Sequence, residues 1–181
     1  IAISIATGLS STLSGMKLAC DMAQMPVTLI DTKGTANNHR YLIKVAKKLI
    51  DDQKDATEIE NVLTSLIEQS ATLIMTPNLT HLKKGGRITP AVAMLGNLLK
   101  IVPVMKLNYE LGGKIDSLDK VRTVKKANLR IIEHMVDECK VNNHDYIFAI
   151  EHVLAEELAQ TMKQVLIDKI GECQIVVREL P

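Results

Sequence analysis

Residues 1–12 read "IAISIATGLSST", a short apolar run that ends in hydroxyl side chains around one glycine. Ile1, Ile3 and Ile5 recur with the period of a strand, and Leu13, Met16, Leu18 and Ala19 follow with helical spacing. Thr7, Gly8, Leu9, Ser10, Ser11 and Thr12 lie between the two patterns, so the stretch predicts strand, tight turn, helix. The hydroxyls then sit where a helix begins. Its first N–H groups lack intrahelical partners and carry partial positive charge, so they take either a Ser/Thr cap or an anion. A cap needs one hydroxyl and is the commoner use, and the surplus of hydroxyls keeps the anion site open.

Further along, "PVTLIDT" (26–32) is a second short apolar strand, which implies a βαβ crossover. Leu42, Val45, Ala46, Leu49 and Ile50 give a helix from Asn37 to about Asp52, and residues 55–70 a further helix capped near Asp55. "ATLIMTP" (71–77) returns as a strand. This alternation predicts a parallel sheet covered by helices, whose ligands bind at the carboxyl ends of the strands, where the opening turn lies.

Beyond residue 78 the pattern changes. "KKGGRI" (83–88) reads as a glycine loop with three cations, Lys83, Lys84 and Arg87, and Thr89-Pro90 as the cap and first-turn proline of a helix to about Leu99. "IVPVMKLN" (101–108) and residues 112–124 read as strands joined by a turn at Gly112-Gly113. A helix (124–139), a strand (145–152), a helix (155–169) and a last strand complete the chain. The expectation is an α/β protein of two domains: residues 1–98, a parallel sheet flanked by helices, and residues 99–181, a smaller mixed-sheet α/β domain.

Composition narrows the chemistry. The 181 residues carry a net charge of +1, with three Tyr, one Phe and no Trp, so neither a basic footprint nor stacking platforms for nucleic acid are supplied. Eight Met among many Leu, Ile and Val make an adaptable aliphatic interior. Cys20, Cys139 and Cys173 lack metal-ligand spacing and read as buried or free thiols of a reducing compartment, and no stretch has the length of a membrane span. A cytoplasmic location is expected, as part of a longer chain. There is no GxSxG, GxxxxGK[ST], HExxH or GxGxxG. His39, His81, His134, His144 and His152 are scattered and read as surface or core residues, as Lys120, Arg122, Lys125 and Lys126 read as a solvated face. A solvated basic loop is the ordinary reading of "KKGGR", although two glycines and three cations could also embrace a carboxylate or phosphate.

The order of segments is more specific than any one of them. "TGLSST", "VTLIDTKG", "LKKGGRITPAVAMLGNLLKIVPVMKLN" and "GGKI…DKVRTVKKA" resemble the DegV family over nearly the whole chain. The resemblance implies a long-chain fatty acid buried in an aliphatic tunnel of the first domain. Its carboxylate would be held by hydroxyls at a helix N-terminus and presented to a separate fatty acid kinase that makes an acyl phosphate. It also implies a carrier that is not an enzyme and needs no cofactor or metal. The family's "SSGLSGT" loop falls on Ala6 to Thr12, its second serine, the expected carboxylate ligand, on Thr7, and its loop arginine on Arg87. Ala6 stands where the family has serine and Ser11 where it has glycine. A further N-terminal hydroxyl segment and a C-terminal histidine–glycine loop of the family are not in these residues. Burial of about sixteen methylenes, at roughly 0.8 kcal/mol each, would give strong binding without any catalytic group. The alternatives are an enzyme acting on a small phosphorylated anion, with "TGLSST" and Arg87 cradling it, and a regulatory module without ligand.

Overall fold

The computed structural model describes residues 1–95, 101–142, 146–171 and 173–180, the side chains of 139–142 excepted. Strand β1 (Ala2–Ser4) pairs in parallel with β2 (Leu29–Asp31), with Ser4 opposite Asp31, and helix α1 (Thr12–Met22) makes the crossover between them. Helices α2 (Ala36–Asp51) and α3 (Ala56–Glu68) pack against this pair through Ile30, Leu42, Ala46, Ile59, Leu63 and Ile67. The start of α3 is set locally. The Asp55 carboxylate accepts from the Glu58 N–H at 2.8 Å and the Glu58 carboxylate from the Asp55 N–H at 3.1 Å, a reciprocal cap that satisfies two otherwise unpaired donors.

Strand β3 (Ala71–Met75) corrects the expectation of a continuous parallel sheet. It pairs antiparallel with β4 (Val102–Asn108), which pairs antiparallel on its other side with β5 (Asp116–Val121), in the order β3-β4-β5. The reason lies in β4. Val104, Met105 and Leu107 are fully buried although they alternate between faces, as a strand buried on both sides requires. Alternation along β3 serves both faces as well. Ile74 joins the cluster of Leu79, Val92, Leu95, Met105, Leu107 and Ile115 on one side, while Leu73 and Met75 join Val104, Ala127 and Ile131 on the other. The expected division between residues 98 and 99 falls within residues 96–100, outside the described residues, and the β3–β4 hydrogen bonds join segments on either side of it.

Between β3 and β4 run α4 (Thr80–Gly85) and α5 (Pro90–Leu95). Lys83 and Lys84, expected in a loop, form the last turn of α4, which Gly86 ends at a φ of 69° that favours glycine. Thr89 opens α5 as expected: its hydroxyl donates to Asp116 at 2.8 Å and accepts a long bond from the Val92 N–H. Helices α6 (Val124–Asn142) and α7 (Glu156–Ile170) cover the antiparallel sheet and the parallel pair β6 (Ile147–His152) and β7 (Gln174–Glu179), with Ile132, Val136, Phe148 and Leu166 between them. Buried His152 accepts the Ala155 N–H on Nδ1 and meets Glu156 through Nε2 at 2.7 Å, an anchor for the start of α7.

Candidate functional site

The parallel pairing of β1 and β2 brings their carboxyl ends side by side, and the hydroxyl turn grows out of one of them. Ala6 N donates to Gly34 O, and the buried Thr32 hydroxyl donates to Ser4 O at 2.9 Å, so the two strand exits are tied to each other. The turn closes on itself where the Leu9 and Ser10 N–H groups both reach Ala6 O. Ser11 holds the N-cap position of α1 and makes no side-chain cap. Instead Ser10 Oγ accepts from the Thr12 N–H at 3.2 Å and lies 2.7 Å from Thr12 Oγ1. Of the turn, Thr7, Ser11 and Thr12 are exposed and Gly8, Leu9 and Ser10 half-buried.

Thr7 is oriented by a residue that motif reading did not single out. Its N–H donates to Asp31 Oδ1 at 3.2 Å and its hydroxyl to Asp31 Oδ2 at 2.5 Å. Asp31 also accepts from the Lys33 N–H at 3.0 Å and pairs with Lys33 Nζ at 2.7 Å. Burial pushes the Asp31 pKa up, but the hydrogen bonds from Lys33 and Thr7 outweigh it and hold the carboxyl below its ordinary range. Asp31 is therefore ionised and acceptor-only. Lys33 sits at a φ of 49°, in the left-handed region that costs a non-glycine residue energy, in the loop that carries this ion pair. The acid at the end of "VTLID" and the rule that ligands gather at strand carboxyl ends were the available signal for Asp31.

Two other segments close around the turn. The Gly112-Gly113 hairpin approaches so tightly that a Cβ on Gly8 would stand 2.2 Å from Gly113 O and 2.9 Å from Lys114 Cγ. Arg87 reaches the turn from the end of α4: its Nε donates to Leu9 O at 3.3 Å and its Nη1 to Gly85 O. The structure thus brings Thr7, Gly8, Leu9, Ser10, Ser11, Thr12 and Arg87 into one region. Arg122, Lys125 and Lys126 stay exposed, and no hydrogen bond among the described residues joins them to it.

The two departures from the "SSGLSGT" pattern have physical readings. Ala6 is fully buried in the aliphatic cluster beneath the turn and touches the space over Gly113, where a methyl needs no partner and a hydroxyl would. Ser11 has a φ of −83°, open to any residue.

Apolar side chains surround the turn. Ala6 and Leu9 pack with Leu79, Leu82, Val92 and Ile115 below it. Helix α1 has no buried residue and shows Leu18 at 61% and Met22 at 79% exposure, followed by Met25 at 62%. Two surface recesses lie elsewhere, one of about 420 Å³ beside His152, Glu156 and Glu179 and one of about 350 Å³ beside Arg130, Glu133 and Asp137. Among the described residues no group of His, Cys, Asp and Glu has the arrangement of a metal site. No described helix is long and apolar enough to cross a membrane.

Comparison with known proteins gives the family and the fold. A family model described as "Uncharacterised protein, DegV family" matches residues 1–181. The DegV domain-containing protein YteA of Lactococcus lactis is 31% identical over 98% of the chain, which covers 62% of that protein. The chain thus spans less than two thirds of the length of this relative. A crystal structure of a fatty acid binding DegV family protein from Streptococcus agalactiae superposes with a TM-score of 0.84 at 28% identity, over 99% of this chain and 64% of that one. A DegV family protein from Thermus thermophilus, described by its fatty acid binding, superposes at 0.82 with 25% identity, over 98% of this chain and 63% of that one.

Proposed function

The chain belongs to the DegV family, and from that membership we propose that it binds a long-chain fatty acid, with the carboxyl head at the Thr7–Thr12 turn and the hydrocarbon among aliphatic side chains. The observation that carries this reading is Thr7 itself. Its side chain already holds a carboxylate, that of Asp31, at the carboxyl end of a parallel βαβ unit, and the likeness to a fatty acid binding protein at 28% identity supports the same chemistry. The N–H groups that open α1 add donors, and Arg87 adds a cation at the rim. In this reading the hydrocarbon lies among the aliphatic side chains near the turn, where Leu9 and Leu82 pack on the buried cluster and α1 exposes Leu18 and Met22. In this reading the protein is a carrier without catalytic groups. It leaves the head near the surface, where a fatty acid kinase converts it to an acyl phosphate.

The test is acyl-chain binding by the delipidated full-length protein. Palmitate is expected to bind, and Thr7→Ala to weaken it by about 3- to 10-fold, the range of one lost hydrogen bond. Absence of binding, or a Thr7→Ala variant equal to wild type, overturns the assignment. Mass spectrometry of the natively purified protein separates it from the phosphorylated-substrate alternative, since a co-purified fatty acid belongs only to the carrier.

A further inference from the structure

We propose that the acid held at Thr7 is bound in its protonated form, selected by Asp31 acting as a positioning residue. The inference rests on the fatty acid reading above and adds the ionisation state of the ligand to it.

Thr7 has two polar hydrogens, and both point at the same side chain: the N–H at Asp31 Oδ1 and the O–H at Asp31 Oδ2. A carboxylate can only accept, so Thr7 is the donor in both bonds and its hydroxyl proton is not available to a ligand. What Thr7 Oγ1 still offers is a lone pair. A head group that touches it must bring a donor, and an ionised carboxylate has none, whereas a carboxylic acid has one O–H to give and one carbonyl oxygen to receive. The N–H groups at the start of α1, where Ser11 makes no side-chain cap, suit that carbonyl oxygen.

The charge in direct contact with Thr7 acts in the same direction. An ionised ligand at Thr7 Oγ1 would share the hydroxyl with Asp31, and of two carboxylates sharing a site one is driven to keep its proton. Lys33 is paired with Asp31 at 2.7 Å, and Arg87 directs Nε and Nη1 to the carbonyls of Leu9 and Gly85. Arg87 keeps its charge, as does Lys114 on the hairpin against Gly8, and both are exposed to solvent, which screens them.

The decisive measurement is the carbon NMR signal of palmitic acid labelled at the carboxyl carbon and bound to the delipidated full-length protein. At pH 7 the wild type is expected to show the signal at the upfield position of a carboxylic acid. In Asp31→Asn the amide can donate to Thr7 Oγ1 and release the hydroxyl proton to the ligand, so the signal is expected to move to the carboxylate position. Hexadecanol, which carries a donor, is expected to compete with palmitate within about tenfold, and methyl palmitate, which carries none, to lose at least tenfold. A carboxylate signal in wild type at pH 7 overturns the inference and leaves fatty acid binding standing. No bound signal at any pH overturns the carrier reading and this inference with it. The wild-type signal decides even if Asp31→Asn fails to fold.

Discussion

Thr7, Asp31 and Lys33 form a unit in which each side chain determines the state of the next. Lys33 and Thr7 stabilise the Asp31 anion, and the anion fixes the direction of the Thr7 hydroxyl. The folded-state pKa of Asp31 lies below its unfolded value near 3.9, so on acidification the unfolded chain takes up the proton first. The contribution of Asp31 to stability is therefore complete above about pH 4 and is lost as the pH falls through the lower folded value. Asp31→Asn is expected to lower unfolding free energy by about 1–2 kcal/mol at pH 7. Urea titrations should show the gap between the two proteins narrowing as the pH falls below about 4. His39 behaves in the same sense through a different cause. Burial lowers its pKa and leaves Nδ1 without a partner, so below about pH 6.5 the unfolded chain binds the proton more readily and stability falls as the pH falls. Thr7 was legible in the sequence because a surplus of hydroxyls at a helix start is a local pattern. Asp31 was not, because its role depends on a register between two strands separated by a helix.

At the scale of the element, short-range signals were the readable ones. The reciprocal cap of α3 spans four residues, and Asp55→Ala is expected to cost about 1 kcal/mol, a fall in Tm of about 2–4 °C by calorimetry. The place of β3 was not legible in this way. Its apolar alternation fits either sheet, and its partner β4 begins 27 residues after β3 ends (102 − 75). The hairpin turn at Gly112-Gly113 was recognised as a turn, but its seat against Gly8 follows from tertiary packing. A Cβ at residue 8 meets main chain, which cannot rotate away as a flexible side chain can. Gly8→Ala is therefore expected to destabilise by about 1–3 kcal/mol and to weaken palmitate binding, whereas Gly15→Ala, where a Cβ meets nothing within 4 Å, serves as the matched control with little effect on binding.

Across the whole molecule, one charge joins segments far apart in the chain. Glu151 on β6 accepts the Asn37 N–H at 3.0 Å in the first turn of α2, whose N-cap Thr35 makes no side-chain cap. A carboxylate at that position meets both an unpaired donor and the positive end of the helix. Glu151→Gln retains an acceptor without the charge and Glu151→Ala removes both. Losses of about 0.5 and 1–2 kcal/mol are expected in that order, together with faster amide exchange at Asn37 in the alanine variant.

The β3–β4 ladder carries a consequence for how copies of this chain can combine. Met75 faces Val104 and Ala71 faces Asn108, so main-chain atoms supply the recognition between the segment before residue 95 and the segment after residue 101. A backbone cut between those points would leave two pieces with matching open edges, and those edges are as good for a strand from another molecule as for the original one. Co-expressed halves are thus expected to reassemble, and two intact chains to trade β3 when concentrated during refolding, giving an interlocked dimer in which each turn of hydroxyls is completed from across the exchange.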